Sequence, residues 1–505
     1  MATISKDYPT ADELKEESGL KALFDKLDGD RMTSLNKARD CSKLTIPSVL
    51  PDESFTEQTS LPDTYNSLGA RAVNNLSNKL LLGLLPPNSA FFRLKTTDED
   101  SVKTDEQDGM DSEIEAQLSK LETRIMSKIE ASGMRPIVHQ AFTNLIVTGN
   151  AALLFEDDKM HLYKVDSYVV IRDFSGDVTD VVLKEAIAYS ALPEDLASKL
   201  EVTDDDKKKD IELYTRYIRQ GKQWLTYQEV NTEIVDGSEQ TIKDKYMPLM
   251  VLRWTKINGE HYGRGLVELH LGDFRGLEGL TQMMMEYSAI AAKVVFGISP
   301  GSVIEIDELE EADNGGVIVG NLERDVTRLS VDKQADLQTP LKMLEDITRR
   351  LGAAFLLQST TTRDSERTTA LEIQYLAREL EDALGGIYSI ISQEFQLPLI
   401  NILMQDMKID LKDMVEPTIT TGLSALGRSQ ELEKLRQLNG LLAEVNPEYV
   451  VKYIKMEEYL KRIGTALAIK DVNSLFASQE EVAEEAQQTA NAGVPEMSQP
   501  QQTQG

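Results

Sequence analysis

The chain has 505 residues, with 54 Lys+Arg against 85 Asp+Glu and a formal net charge of -31 at pH 7. That length can bury a large core in more than one domain. The acidity excludes a broad basic face for gripping nucleic acid and attraction to an anionic membrane surface.

The single cysteine, Cys41, excludes an intrachain disulfide and suits a reducing compartment. The opening "MATISKDYPT" lacks the apolar stretch of a secretory signal. No apolar run reaches the roughly 20 residues that span a bilayer, and "NKLLLGLLPPNSAFF" is broken by Pro86 and Pro87. A soluble intracellular protein is expected, or part of a particle assembled inside a cell.

From about Ala11 to Leu85 the pattern reads as helix, with Leu68, Ala72, Leu76, Leu80 and Leu84 in one stripe that Pro86 ends. The linker "TTDEDSVKTDEQDGMDSE" is too charged to pack. A second helix is expected from Glu113 to Ala131, on Ile114, Leu118, Leu121, Ile125 and Ile129. A third starts near Pro136 and stops before Gly149.

Between Ala151 and Ile257, "HLYKVDSYVVIRD", "DVVLKEAIAYS" and "IELYTRYIRQGKQWLTYQEV" read as strands, with a hairpin at Gly221. Helix resumes near Gly265. Strand-like pieces then flank the turn signal Asp313–Gly316. Thr339 and Pro340 suit the N-cap and N1 of a further helix, with Leu341, Leu344, Ile347, Leu351 and Phe355 on its apolar face.

The polar run Gln358 to Thr368 follows, without glycine or proline but with Arg363 and Arg367. Connections inside compact domains are mostly about 4–6 residues, and longer ones tend to be functional or disordered. Thr369 to Glu372 matches a capping box for a very long helix reaching Met407, weakened at Gly385 and Gly386 and kinked by Pro398. Smaller helices span about Gly422 to Val472, and the Gln-, Glu- and Ala-rich tail from Ala477 is expected to be disordered. Two helices joined by a small acidic β unit make a stalk with a tip. Such a stalk cannot bury its apolar faces alone, but identical copies in a ring can cover them.

Catalytic chemistry finds little footing. There is no phosphate loop. "YGRG" at Tyr262 to Gly265 lacks the third glycine of a dinucleotide fingerprint and reads as a tight turn. His139, His161, His261 and His270 fall in no zinc pattern, so no metal and no cofactor are expected. Carboxylates are dense at Glu201 to Asp210 and at Glu305 to Asp313, without a calcium-loop pattern. The first run reads as a solvated loop and the second as a contact surface at the tip. "MMME" at Met283 to Glu286 reads as core or inter-subunit packing.

Five stretches in order carry a family resemblance: "ARDCSKLTIPSVLP", "GARAVNNLSNKLLLGLLP", "YGRGLVELHLGDFRGLEGL", "RDSERTTALEIQYLARELEDALGGIYSIISQEFQLPL" and "VEPTITTGLSALGRSQELEKL". Together they resemble the head-to-tail connector, or portal, proteins of T7-like podoviruses, over about Leu20 to Val472. The resemblance implies an α+β, predominantly helical portal fold, assembling as a dodecameric ring around a central DNA channel. It implies a wing at 1–264, stem helices at 265–297 and 337–357 enclosing a clip at 298–336, and a tunnel loop at 358–368. A long wing helix at 369–414, a crown at 415–476 and the tail at 477–505 complete the layout.

The resemblance further implies that Arg363 and Arg367, with Ser359, Thr360, Thr361 and Thr362, ring the channel and face DNA phosphate. The competing reading pairs both arginines with Glu366, Asp364 or a neighbouring subunit. Clip residues Glu305, Asp307, Glu308, Glu310, Glu311 and Asp313 are expected to meet partners. Those partners would be terminase, the major capsid protein and scaffold, tail adaptor and internal core proteins, and double-stranded DNA passing through, with no membrane. The location would be the virion, at the capsid vertex of the head–tail junction, after assembly in the host cytoplasm. Two other readings compete: a soluble acidic hydrolase using paired carboxylates, and an assembly scaffold removed later.

Overall fold

The computed structural model describes residues 19–87 apart from 57, 90–96, 107–191, 210–291, 295–300, 334–357, 379–408 apart from 381, and 415–419. Isolated positions between 302 and 329, and Leu438, are also described.

In chain order the elements are α1 (Leu20–Asp30), α2 (Met32–Lys43), α3 (Leu68–Leu84), β1 (Phe92–Thr96), α4 (Gln107–Ala131) and α5 (Arg135–Thr148). Then come β2 (Asn150–Glu156), β3 (Lys159–Tyr163), β4 (Tyr168–Arg172), β5 (Val178–Ala188), β6 (Asp210–Gln220), β7 (Gln223–Val230), β8 (Glu233–Ile234), β9 (Gln240–Lys243) and β10 (Leu249–Arg253). After them lie α6 (Leu266–Leu269), α7 (Leu271–Ala291), β11 (Val295–Ile298), β12 (Val326–Leu329) and α8 (Gln334–Ala354). The last are α9 (Gly386–Ile391), a π-helical turn (Ser392–Gln396), α10 (Leu397–Asp406) and β13 (Val415–Ile419). The fold is mixed helix and sheet.

Two compact units divide the chain. The first holds Met1–Leu81, Gly133–Glu366 and Gln393–Pro398; the second holds Leu82–Ser132, Arg367–Ser392 and Leu399–Gly505.

In the first unit, β4-β5-β6-β7-β8 form one antiparallel sheet with β9 on β7, and β10-β2-β3 form another. Side chains alternate between sheet faces. Tyr168, Val170, Val181 and Leu183 therefore join Ala152, Leu154, Leu249 and Val251 of the smaller sheet in one core. Val169 and Val182, offset by one residue, meet Leu20 and Phe24 of α1 on the opposite face. Gly221, at φ 64, closes the β6–β7 hairpin as its position in the sequence predicts.

In the second unit, β1 pairs antiparallel with β13, Phe92 opposite Ile419. The Leu94 N–H donates to Glu122 of α4 at 2.8 Å, and Lys128 of α4 pairs with Asp406 of α10 at 3.0 Å. Neither strand stands out in the sequence, because each is short and lies beside a charged or proline-bearing stretch.

Four expectations about elements need correction. The helical reading of Ala11 to Leu85 fails between 44 and 67, where Pro47, Pro51 and Pro62 cannot continue a helix. There Ser42 Oγ accepts from the Leu50 N–H at 2.9 Å and donates to the Ile46 carbonyl at 2.8 Å, folding the chain back. The helix expected from Glu113 begins at Gln107. Thr339 and Pro340 do not cap a helix: α8 starts at Gln334 and carries Pro340 inside it. The long helix breaks at Gly385, with φ 50 and ψ -119, and resumes with a π-turn just before Pro398. Pro398 lacks the N–H that an α-helix would pair with the Glu394 carbonyl, and the wider turn falls at that gap.

Candidate functional site

The tunnel-loop candidates Ser359, Thr360, Thr361, Thr362, Arg363 and Arg367 lie outside the described residues, as do Glu305, Glu308, Glu310, Glu311 and Asp313. Asp307 is described and is exposed. The capping box at Thr369, the turn at Asp313–Gly316 and the region from 420 onward, Leu438 apart, also lie outside. What the structure brings together is a framework of described residues, some of which adjoin these segments in the chain.

The first part of that framework is the α7–α8 pair, joined through the antiparallel strands β11 and β12, with Val295 opposite Leu329. Near their shared base the helices bury their apolar faces. Phe274 and Leu277 are each 2% exposed, Ile347 is 6%, and Leu351 and Phe355 are 0%. Gly276 faces Ile347 closely enough that a Cβ would sit 3.4 Å from Ile347 Cδ1, and Arg350 donates to Asp273 at 2.6 Å.

Toward β11 and β12 the burial fails. Met283 is 61% exposed, Met285 53%, Ile290 55%, Leu341 43% and Met343 52%. Met284, Met285, Leu341 and Leu344 line a shallow open groove between the two helices. Contiguous exposed apolar surface on a soluble chain marks an interaction face.

The second part is a glycine knot at the start of α6. Gly149 ends α5 at φ 82. A Cβ there would lie 2.5 Å from the Gly265 nitrogen and 2.6 Å from the Gly263 oxygen. Asn150 grips Gly263 from the other side, donating to its carbonyl at 2.8 Å and accepting from its N–H at 2.7 Å. "YGRG" is thus a tight backbone crossing. The knot fixes where α6 and α7 leave the body, and salt bridges from Lys37 to Glu268 (3.5 Å) and from Asp40 to Arg275 (2.6 Å) brace them from α2.

The third part is the far end of α8. Leu356 N–H donates to Ala353 at 3.2 Å and Leu357 N–H to Gly352 at 2.8 Å, the paired bonds of a Schellman cap. Such a cap needs a left-handed residue, and the one here is leucine: Leu356 has φ 55. Lys79 Nζ donates to the Leu356 carbonyl at 2.9 Å. Asn75 Nδ2 donates to the carbonyls of Phe355 and Leu356, both at 3.1 Å. Asn75 and Lys79 stand one turn apart on α3, so one helix face supplies both donors. Phe355 is pinned against Phe274, ring centroids 5.6 Å apart.

Sequence reasoning placed none of these anchors. Lys79 is only 2% exposed, which is rare for a lysine unless it is paired, but "NNLSNKLLLG" does not display that burial.

Among the described residues no group of three His, Cys, Asp or Glu side chains could hold a metal. No described helix is long and apolar enough to cross a membrane. His270 lies tilted against Phe355, ring centroids 6.0 Å apart, and burial lowers the pKa of His139 in α5.

A family model described as bacteriophage head to tail connecting protein matches residues 17–471. The portal protein of Enterobacteria phage T3 is 37% identical over 494 residues, covering 95% of this chain and 92% of that one. The portal protein of Escherichia phage T7 is 35% identical over 495 residues, with 95% and 92% covered, and that of Enterobacteria phage SP6 is 30% identical over 486, with 94% and 93% covered. Among solved structures, one from the virion of a native gene transfer agent particle aligns at TM-score 0.39 and 11% identity, over 76% of this chain and 89% of that one, too faint a likeness to bear on the fold. With the matched region spanning every element described above, the chain belongs to the bacteriophage head to tail connecting proteins.

Proposed function

We propose that this chain is the subunit of a twelve-membered portal ring at one capsid vertex, through which double-stranded DNA enters and leaves. It is a portal protein and not an enzyme. The hydrolase and removable-scaffold readings therefore give way. In this reading α7 and α8 are the stem and the segment they enclose is the clip. Segment 358–368 narrows the channel and places Arg363 and Arg367 toward phosphate. Terminase docks during filling, tail adaptor and core proteins afterwards, and the capsid shell surrounds the ring after assembly in the host cytoplasm.

The observation that carries the ring is the apolar gradient along the α7–α8 pair. Its base is buried within the chain, while Met283, Met285, Ile290, Leu341 and Met343 are left uncovered. Copies of the same pair, set side by side, bury those residues by closed symmetry.

Twelve copies would carry -372, twelve times the -31 of one chain. A wall of that sign repels the duplex only within a Debye length of about 8 Å at physiological salt, which suits sliding better than gripping. An arginine constriction adds a few reversible phosphate contacts.

Native mass spectrometry tests the ring: a species near twelve copies is expected, and Met285→Asp should shift it toward monomer. Arg363→Ala with Arg367→Ala should leave the ring intact and reduce DNA retention in filled particles. Unchanged retention would remove the channel role of that segment.

A further inference from the structure

We infer that Lys79 and Asn75 are positioning residues for the segment that follows α8: their grip on the Phe355 and Leu356 carbonyls holds a left-handed leucine that sets the direction in which the chain leaves the helix. The consequence for DNA rests on the channel reading of 358–368 given above. The consequence for Leu356 does not.

Three observations converge. A helix leaves its last four carbonyls without intrahelical partners, and a buried end must find donors elsewhere. Here the cap's own backbone bonds serve Gly352 and Ala353. From α3, far away in sequence, come Asn75 to the Phe355 and Leu356 carbonyls and Lys79, with 2% exposure, to the Leu356 carbonyl just past the helix. A cation at a helix C-terminus also meets the negative end of the helix dipole.

The second observation is the residue chosen. Schellman caps usually place glycine at the left-handed position because a Cβ is disfavoured there. Leu356 occupies it at φ 55, and residues held in such a conformation persist only where their surroundings over-determine them.

The third is that the grip falls on the strained residue itself. Lys79 and Asn75 both reach the Leu356 carbonyl, at 2.9 and 3.1 Å, while Phe355 is locked by Phe274 on its other side. If the chain were free to relax, Leu356 would return to right-handed φ, and the peptide after it would point elsewhere. The grip removes that option and fixes the heading of the chain at Leu356 and Leu357.

The test uses the full-length protein in its assembled state. Hydrogen exchange of the peptide covering 353–357 should become about tenfold faster in Lys79→Met, with no change over 341–350. Adding Leu356→Gly to Lys79→Met should restore slow exchange, because glycine adopts the left-handed conformation without being held. A merely structural lysine would not be rescued by a glycine at another position. Asn75→Ala provides the same comparison should Lys79→Met not assemble.

Unchanged exchange in both variants, or failure of Leu356→Gly to rescue, overturns the inference. DNA retention is measured in parallel. A loss in Lys79→Met that matches the Arg363→Ala, Arg367→Ala variant, is not deepened by combining the changes, and is reversed by Leu356→Gly supports the link to the channel. Altered exchange with normal retention leaves the positioning role standing and denies its consequence for DNA, while the channel reading of 358–368 is decided by the Arg363→Ala, Arg367→Ala variant.

Discussion

Glu394 accepts three hydrogen bonds from Arg253: from its backbone N–H at 2.9 Å, from Nε at 3.1 Å and from Nη2 at 2.7 Å. A second guanidinium, Arg172, lies 3.8 Å from the same carboxylate. Both arginine side chains are 3% exposed. Burial brings Arg172 down to about 10, against the raising effect of Glu394. The π-turn is what presents Glu394 here, since it widens the helix between α9 and α10 at that residue.

Glu394→Ala should therefore strand two like charges in a buried site. Breaking a buried pair by removing one partner costs about 3 kcal/mol or more, so the apparent unfolding temperature should fall by several degrees. Glu394→Gln, which keeps the shape and one acceptor, should cost less. Differential scanning calorimetry ranks the two, and equal values would deny the charge its role.

The glycine knot separates space from conformation. Gly149 and Gly221 both have positive φ, at 82 and 64. Nothing lies within 4 Å of a Cβ at Gly221, whereas one at Gly149 would collide with the backbone of 263–265. Gly221→Ala should cost only the backbone preference, about 1 kcal/mol. Gly149→Ala should prevent the crossing and leave little folded protein, as judged by soluble yield and urea midpoint. Comparable losses at both sites would mean that the knot tolerates separation.

Acid should unfasten α1 from the β5–β6 strands. Hydrogen bonds from Lys184 first, then Lys21 and Tyr214, outweigh partial burial and hold the Glu212 carboxyl down at about 2 instead of 4.5. A depressed carboxyl stabilises the fold fully above 4.5, and the gain is lost as pH falls toward about 2. Glu229, which accepts the Leu20 N–H at 2.8 Å, is pushed the other way by burial, so its contribution improves on acidification. Glu212→Gln should be less stable near neutrality and should lose stability less steeply in acid. Unfolding temperatures taken across the acid range check the slope; parallel curves for the two proteins would refute it.

Cys41 is 0% exposed, and burial pushes its thiol up to about 12, with Glu268 and Asp40 adding to the effect. The reactive thiolate is thus suppressed. A thiol reagent at mildly alkaline pH should leave the native protein unlabelled and label it stoichiometrically after denaturation. Cys41→Ala should cost less than Cys41→Ser, whose buried hydroxyl adds roughly 1–3 kcal/mol if it finds no partner. Rapid native labelling would contradict the burial.

Much of the architecture was legible because it is periodic. The stripe Leu68, Ala72, Leu76, Leu80 and Leu84 is buried throughout, at 3% exposure or less. Of the apolar face expected on α8, Ile347, Leu351 and Phe355 are buried while Leu341 is exposed, the Gly221 hairpin closes in register, and α5 ends at Gly149. Each depends on neighbours within one or two turns, which a sequence displays directly. The five family stretches were legible for a different reason, since order along the chain is itself information.

The anchors were not legible. Lys79 and Leu356 are 277 residues apart, Arg253 and Glu394 are 141, and Asn150 and Gly263 are 113. Before folding, Lys79 is one lysine among the cations of an acidic chain, and Glu394 one carboxylate among 85 Asp+Glu. Nor could spacing show that Pro340 sits inside a helix, or that the weak point at Gly385 and Gly386 becomes a full break, because packing overrides local preference at such points. Local periodicity marked the helix α3, the run of strands between Ala151 and Ile257 and the helix α5. Only the tertiary structure decided which buried polar groups meet, because a donor and an acceptor far apart in the chain become partners through the path of the backbone between them.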